Sequence, residues 1–382
     1  MATGLIMKTI RIIGHNAITP LGDTTEKNYV ALQQGKSGIA RTSFPGIADQ
    51  VCLGKITDSH IADASLTRFE NLLIRSIQDA LTNTPVDIRS PRTVLIFSTT
   101  KGNVELLGQV IADDQRLYLS HAAQTITTFL KNPNAPIVVS NACTSGVVAM
   151  LTGKYMLESG QYDHAVIAGA DVLSSFIISG FQSLHALSDE VCQPFDKQRK
   201  GINLGEAAAT VVLSSERGLS SRESIKIGGG GMTNDANHIS GPSRTGEELS
   251  AAISKALRQS GVTKEQIDFI SAHGTATLYN DEMEANAFHL SGLHDVPVNS
   301  LKGFFGHTLG AAGILESVMS IRALQHNELT PSYGFQEPGV SKPITIIRER
   351  KQLPLSVCLK TASGFGGCNA AMILQKDINE HE

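Results

Sequence analysis

The chain of 382 residues is short of cysteine pairs, charge blocks and nucleotide loops. Its five cysteines, Cys52, Cys143, Cys192, Cys358 and Cys368, are odd in number and contain no Cys-x-x-Cys spacing. Neither a disulfide framework nor a zinc cage is indicated, and a reducing cytoplasm is the expected compartment. No run of about 18 apolar residues occurs, so no membrane span is expected. The opening MATGLIMKTIRIIGHN lacks a basic flank before a long apolar core and does not read as a signal peptide. Net charge is -4, charged residues make up 18%, and no basic stripe suggests a nucleic-acid partner. There is no Gly-x-x-x-x-Gly-Lys-Ser/Thr loop, and no Gly-x-Gly-x-x-Gly opens a helix after a strand. There is also no His-Glu-x-x-His, and no carboxylate pair stands at metal-ligand spacing.

What is present is alternation. TIRIIG (9–14), TVLIFS (93–98), APIVVS (135–140), HAVIAGA (164–170) and AAATVVLSS (207–215) read as strands. Between them, Leu66, Phe69, Leu72, Leu73, Ile77, Ala80 and Leu81 fall near one face of a helix over 66–81. A polar break at 214–224 follows. The series resumes with IKIGGGGM (225–232) and a helix carrying Leu249, Ala252, Ile253, Ala256 and Leu257 on one face. IDFISAHG, VPVNS, ITIIRE, LSVCLKTAS and NAAMILQK complete the strand candidates. This is the pattern of an α/β fold with much parallel pairing, in two halves of similar character, 1–218 and 219–382.

Chemistry-bearing residues sit at the joints. In PIVVSNACTSGVVAM, Cys143 stands where a buried strand turns into a small-residue helix. Placed at the first helical turn, its sulfur would face unpaired N–H groups and the positive end of the dipole, which lowers a thiol pKa. A structural cysteine packed under the helix fits that stretch equally well. His273 follows the strand-like IDFISA, and LKGFFGHTLGAAGILE carries Lys302, His307 and Glu316. One cysteine with two histidines suits covalent catalysis plus stabilisation of a developing oxyanion. The 35 glycines cluster in IGGGGM, LKGFFGHTLGAAG and ASGFGGCNA, where close backbone approach or positive φ is the expected use.

In ITPLG, NACTSG, PFDKQRKGINLGEAAA, AHGTAT…DEMEA, LKGFFGHTLGAAGILE and GFGGCNA, in that order, the chain resembles the β-ketoacyl-acyl-carrier-protein synthases, condensing enzymes of the thiolase superfamily. The resemblance covers nearly the whole chain. It implies a five-layer αβαβα sandwich of two related halves, and a decarboxylative condensation of malonyl-carrier protein with an acyl group held on cysteine. It implies Cys143 as nucleophile, with backbone N–H groups of Cys143 and Phe365 as oxyanion hole and Phe365 as a gate to the acyl pocket. His273 and His307 would hold the malonyl thioester oxygen. Lys302 would orient His273 or the local charges, Glu316 would pair with Lys302, and Thr275 and Thr277 would bind the pantetheine arm. Lys302 with Glu316 reads equally as a purely structural pair, and the two threonines as turn caps. Asp281, Glu284, Phe195 and Asp196 read as structural, and Cys192, Cys358 and Cys368 as packing residues.

No resident cofactor is implied, because phosphopantetheine belongs to the acyl carrier protein. The expected partners are that carrier and a second subunit, either another copy or a related ketosynthase or chain-length factor. Lys101, Lys197, Arg199 and Lys200 are candidates for the carrier-docking patch. The chain departs from the family pattern at Cys368 (GGCN for GGTN), at RKG for RDG, at His15, in GEAAA, and in a short segment between Ser98 and Cys143. These departures point to a specialised aryl-polyene or polyketide-like pathway beside ordinary fatty-acid synthesis. The competing reading is a non-catalytic chain-length-factor-like subunit, and retention of Cys143, His273, His307 and Lys302 argues against it. A thiolase or a starter synthase using acyl-CoA would carry a different second set, and a hydrolase would need water at the acyl-enzyme.

Overall fold

The computed structural model describes residues 8–57, 63–111, 113–216, 219, 224–236 and 241–377. The strands are β1 (Arg11–Ile18), β2 (Ala40–Thr42), β3 (Val51–Gly54), β4 (Thr93–Ser98), β5 (Ile137–Val139), β6 (His164–Asp171), β7 (Leu204–Gly205), β8 (Ala207–Ser214), β9 (Ile225–Asn234), β10 (Phe269–Ser271), β11 (Val298–Asn299), β12 (Glu328–Leu329), β13 (Lys351–Gln352), β14 (Val357–Gly364) and β15 (Cys368–Lys376). The helices are α1 (Thr25–Gln33), α2 (Arg68–Leu81), α3 (Leu119–Phe129), α4 (Ser145–Glu158), α5 (Ser175–Ser183), α6 (Glu247–Ser260), α7 (Leu278–Leu290), α8 (Lys302–Phe305) and α9 (Ala312–His326).

Ten strands pair in the order β11-β10-β14-β15-β9-β1-β8-β6-β4-β5. Moving outward from the centre, β1-β8-β6-β4-β5 pair antiparallel, antiparallel, parallel, parallel. On the other side β9-β15-β14-β10-β11 repeat the same sequence of pairings. The two sets meet at Arg11 opposite Lys226 and Ile12 opposite Ile225. The repeat expected of two related α/β halves is thus present in strand order and direction. The boundary expected at 218/219 adjoins residues outside those described.

The layers follow from which faces are apolar. β4 and β8 are buried along their whole length, because each is covered on both faces. α2 is amphipathic and opens with a Thr67–Glu70 capping box. It packs on β1, β6 and β8 from outside, and α6 does the same on β9 and β15. α4 and α9 pack on each other and on strands of both halves, forming the middle layer. Their crossing is backbone-close: a Cβ at Gly146 would lie 2.7 Å from Ile314 N, and one at Gly313 would lie 2.5 Å from Val147 N. Only glycine allows that approach, and it draws the start of α4 against the start of α9.

Several expectations need correction. The strand expected at 9–14 spans Arg11–Ile18, with a register shift between Ile12 and Gly14. The strand expected at 135–140 keeps only Ile137–Val139, because the chain must turn before Cys143. ITIIRE forms no strand and contributes only a bridge from Ile346 to Val298. Beside an edge strand of two residues, there is no longer ladder for it to join.

Candidate active site

Cys143 lies in the turn from β5 to α4. The turn is closed by Thr144 N–H and Thr144 Oγ1 donating to Asn141 O, at 3.2 and 2.7 Å. The Ser145 hydroxyl donates to Ala142 O at 2.6 Å and accepts from Asn141 N–H at 2.7 Å. Ala142 is held at φ 45, a left-handed conformation that a non-glycine residue adopts only under constraint. Cys143 therefore stands just ahead of the Thr144 cap, not inside the first helical turn. The expected lowering of its pKa is not found. The sulfur is enclosed, and burial pushes the thiol up to about 12 despite the Lys302 ammonium and a Phe365 N–H directed at it.

The glycine-rich loop after β14 supplies that N–H. A Cβ at Gly364 would lie 2.9 Å from Cys143 N, so a side chain there would force the loop off Cys143. Gly366 and Gly367 follow at φ 83 and φ 77. The Phe365 ring is 42% exposed and tilts against Phe181 with centroids 5.8 Å apart. Cys368 lies beneath, its sulfur 3.5 Å from Asn141 O and 3.4 Å from Phe365 O, so it packs between the two loops.

The two histidines come from the other half. His273 follows the end of β10. Its backbone N–H and that of Gly274 both donate to Glu284, at 2.8 and 2.6 Å. Thr275 N–H donates to Asp281 at 3.0 Å, and Phe195 N–H to the same carboxylate at 2.7 Å. Asp196 accepts from Gln336 and Glu337 N–H. These acids shape loops, as expected.

Lys302 Nζ donates to Glu316 at 2.7 Å and to His273 O at 2.6 Å, and lies 3.3 Å from His273 Nδ1. An ammonium has donors only, so His273 Nδ1 must accept and its Nε2 must carry the proton. Leu309 N–H donates to His307 Nδ1 at 3.2 Å, which fixes the same tautomer there. His307 Nε2 is buried without a hydrogen-bond partner. Burial, and then the Lys302 charge, hold both rings well below the ordinary value of 6.5, so both are neutral. The rings meet edge-on, with centroids 5.1 Å apart. The Cys143 sulfur and one ring nitrogen of each histidine lie within 4.8 Å of one another.

These groups line a single cavity of about 1100 Å³, with Phe365, Thr275 and Thr277 also on its wall. The two threonine hydroxyls bond each other at 2.8 Å. Arg199 is corrected as a docking candidate. It is buried, donates to the carbonyls of Asp196 and Gly339, and faces Asp281 and Glu282 at 3.7 and 3.6 Å. Lys197 and Lys200 are exposed and paired with Glu337 and Glu190, and Lys101 Nζ reaches the Thr100 carbonyl.

Two residues were missed by sequence reasoning. Asp171, at the end of β6, is buried and accepts from Thr99 Oγ1, Thr100 N–H and Gly310 N–H, holding the turn beside His307. Lys360 is fully buried on β14, with Nζ 2.6 Å from Glu316 Oε2. A lysine inside the otherwise uncharged LSVCLKTAS was the available signal, since an ammonium is rarely buried without purpose.

Models of the β-ketoacyl synthase N-terminal and C-terminal domains match residues 99–217 and 225–336. The chain belongs to the β-ketoacyl synthase family. It is 27% identical to the 3-oxoacyl-[acyl-carrier-protein] synthase 2 of Coxiella burnetii, over 97% of this chain and 99% of that one. It is 32% identical to the tetracenomycin polyketide synthase ketoacyl synthase alpha subunit of Streptomyces glaucescens, over 63% of this chain and 59% of that one. A chain from the solved complex of the ketosynthase ApeO with its chain length factor ApeC, from Xenorhabdus doucetiae, superposes with a TM-score of 0.86. That likeness covers 99% of this chain and 100% of that one at 27% identity. The five-layer sandwich of this β-ketoacyl synthase is the expected thiolase-type fold, and its class is that of an acyltransferase.

Proposed function

We propose that this chain is a 3-oxoacyl-[acyl-carrier-protein] synthase in which Cys143 carries the acyl group and His273 and His307 drive decarboxylation of the malonyl extender. The observation that carries this reading is the convergence of two buried Nε2–H donors on the cavity that holds the Cys143 thiol.

Cys143 sulfur attacks the acyl thioester of a carrier-bound phosphopantetheine. Its proton leaves with the displaced carrier thiol, and the acyl group stays on sulfur. The tetrahedral oxyanion takes the N–H groups of Cys143 and Phe365. In the resting protein the Phe365 N–H is directed at the sulfur, so attack transfers this donor from sulfur to oxyanion.

A malonyl thioester then enters along Thr275 and Thr277. Its carbonyl oxygen accepts from His273 and His307. The bond to the carboxylate breaks, CO2 leaves, and the electron pair forms an enolate held by the two N–H donors. The carbanion attacks the acyl carbonyl, the C–S bond breaks, the released Cys143 thiolate takes up a proton from solvent, and a 3-ketoacyl chain two carbons longer departs on the carrier. Neutral imidazoles suit this step, since an imidazolium would also pair with the malonyl carboxylate and stabilise the state that must be left. Lys302 and Glu316 set the tautomer and position of His273 without touching substrate.

The chemistry needs no resident cofactor. The partners are the acyl carrier protein and a second ketosynthase-fold subunit, a copy of this chain or a chain-length factor. Likeness to a ketosynthase alpha subunit and to a ketosynthase–chain length factor complex favours a polyketide-like or aryl-polyene pathway over housekeeping fatty-acid elongation. Among the described residues no helix is long and apolar enough to cross a membrane, and the cytoplasm is the proposed location.

The test is intact-protein mass after mixing with a panel of acyl carriers, beside a Cys143→Ala control. A Cys143-dependent gain supports acyl transfer, and the group that loads best identifies the primer. No gain from folded protein with its partner subunit present would move the reading to a non-catalytic subunit.

A further inference from the structure

Lys360 has no part in the steps above, yet it lies behind both histidines with no exposed surface. It sits on β14 opposite Ser271 of β10, two residues before His273. Its ammonium donates to Ser271 O at 3.1 Å, Ala272 O at 3.4 Å and Thr361 O at 2.9 Å. It also holds Glu316 Oε2 at 2.6 Å, while Lys302 holds Oε1 at 2.7 Å. Glu316 is thus shared between two ammonium groups, and only one of them reaches a histidine ring.

Burying a second ammonium is costly unless something gains from it. Simple neutralisation of Glu316 does not require it, because Lys302 already supplies that charge. What Lys360 adds is a fix on the strand end from which His273 projects. Two of the three carbonyls it binds belong to the two residues directly before His273.

We propose that Lys360 is a positioning residue for decarboxylation: it anchors the end of β10 and the outer oxygen of Glu316, so that Lys302 stays on His273 and His273 presents Nε2–H to the malonyl oxygen. This rests on the function proposed above and names a residue that the proposed reaction steps do not use.

The charges facing His273 can be counted from every element packed on it. Lys302 comes from α8, Lys360 from β14, Glu316 from α9 and Glu284 from α7, with neutral His307 and Cys143 completing the ring of neighbours. Two ammonium groups and two carboxylates cancel. Removing Lys360 leaves one negative charge in excess, which favours imidazolium and raises the pKa of His273. Its present depression has burial as its main cause, followed by Lys302, His307 and Lys360.

The experiment compares wild type with Lys360→Met and Lys360→Gln in two separate half-reactions. In the first, acyl loading of Cys143 by a saturated acyl carrier should stay within about twofold of wild type, because Lys360 does not reach the nucleophile turn. In the second, decarboxylation of malonyl-carrier protein should fall about tenfold at neutral pH. The acid limb of its pH profile should also move up towards 6.5, the ordinary histidine value. Unchanged decarboxylation would overturn the proposal. So would loading and decarboxylation falling in parallel at every pH, the mark of a purely structural residue. Should both variants fail to fold, ¹⁵N-histidine spectra of the wild-type enzyme decide. A His273 that is Nε2-protonated and neutral below its ordinary value supports the proposal, and one that titrates near 6.5 overturns it. A wild-type enzyme that neither loads nor decarboxylates would overturn the proposed function instead, and the spectra would still read His273 independently.

Discussion

The cavity has two walls built on opposite principles. Around Cys143 the work is given to backbone: a constrained turn, the N–H of Phe365, and glycines that let two loops touch. Around His273 and His307 it is given to enclosure and buried charge: burial first, and then the Lys302 and Lys360 ammonium groups that Glu316 holds in place, keep both imidazoles neutral. A fleeting oxyanion at a thioester needs donors at fixed points, and peptide N–H groups cannot change protonation state. An enolate needs donors of higher acidity on groups that do titrate, so their surroundings must prevent titration.

Substitutions can separate the two walls. The largest effect is expected from Cys143→Ala, which should lower acyl loading by at least about a thousandfold in a mass assay. It should leave the histidine wall intact, so malonyl decarboxylation persists. His307→Ala should do the reverse. Loading should be retained, and decarboxylation, followed as CO2 release, should fall by about 100- to 1000-fold, the scale of losing one oxyanion donor. Gly364→Ala tests the backbone wall without touching a side chain that reacts. A methyl 2.9 Å from Cys143 N must push the glycine loop outward. Loading should drop about tenfold or more, at a stability cost of about 1–3 kcal/mol measured by denaturant midpoint.

Acid sharpens the contrast from the other side. Burial and then Arg322 hold His15 down to about 4, and burial and then Lys302 hold His273 and His307 well below 6.5. The unfolded chain binds protons at these sites near 6.5 while the folded one does not. These three histidines therefore contribute stability that is fully present above 6.5 and is lost as pH drops from there towards 4, while Asp281, pushed up to about 7 by burial, contributes in the opposite sense. Melting temperature at pH 5 should lie below that at pH 7.5. The smallest effect is expected from Lys197→Ala, whose exposed pair with Glu337 should shift stability by less than about 0.5 kcal/mol.

The site was legible where chemistry is written in single residues at joints between elements. Cys143, His273, His307, Lys302 and Glu316 stand in one connected group: Cys143 and His273 follow strand ends, Lys302 opens α8, His307 lies in the loop after it, and Glu316 stands in the second turn of α9. Phe365 was legible through the glycines around it. The electrostatic consequences were less so. A helix start beside Cys143 suggested a lowered pKa, but sequence does not show that the sulfur would be closed off from water, and burial outweighs the amides. Arg199 read as a surface cation because it sits in a charged run, whereas its guanidinium folds inward onto carbonyls and Asp281. Lys360 and Asp171 were hidden because each occupies one position in an apolar strand, and their partners lie 44 and 139 residues away, at Glu316 and Gly310. Strand ends failed for a related reason: where a chain must turn for function, pairing stops before hydrophobicity does.

The locked histidine tautomers bear on a different matter. A thiol and two imidazoles within 4.8 Å are the donor set that zinc or copper would select. A metal needs the lone pair of a ring nitrogen, and in both rings the lone pair is turned inward to Lys302 or to the Leu309 N–H. Only N–H bonds face the cavity. The hydrogen bonds that, in the proposed reaction, ready the site for a carbonyl oxygen therefore also turn its ring lone pairs away from zinc or copper.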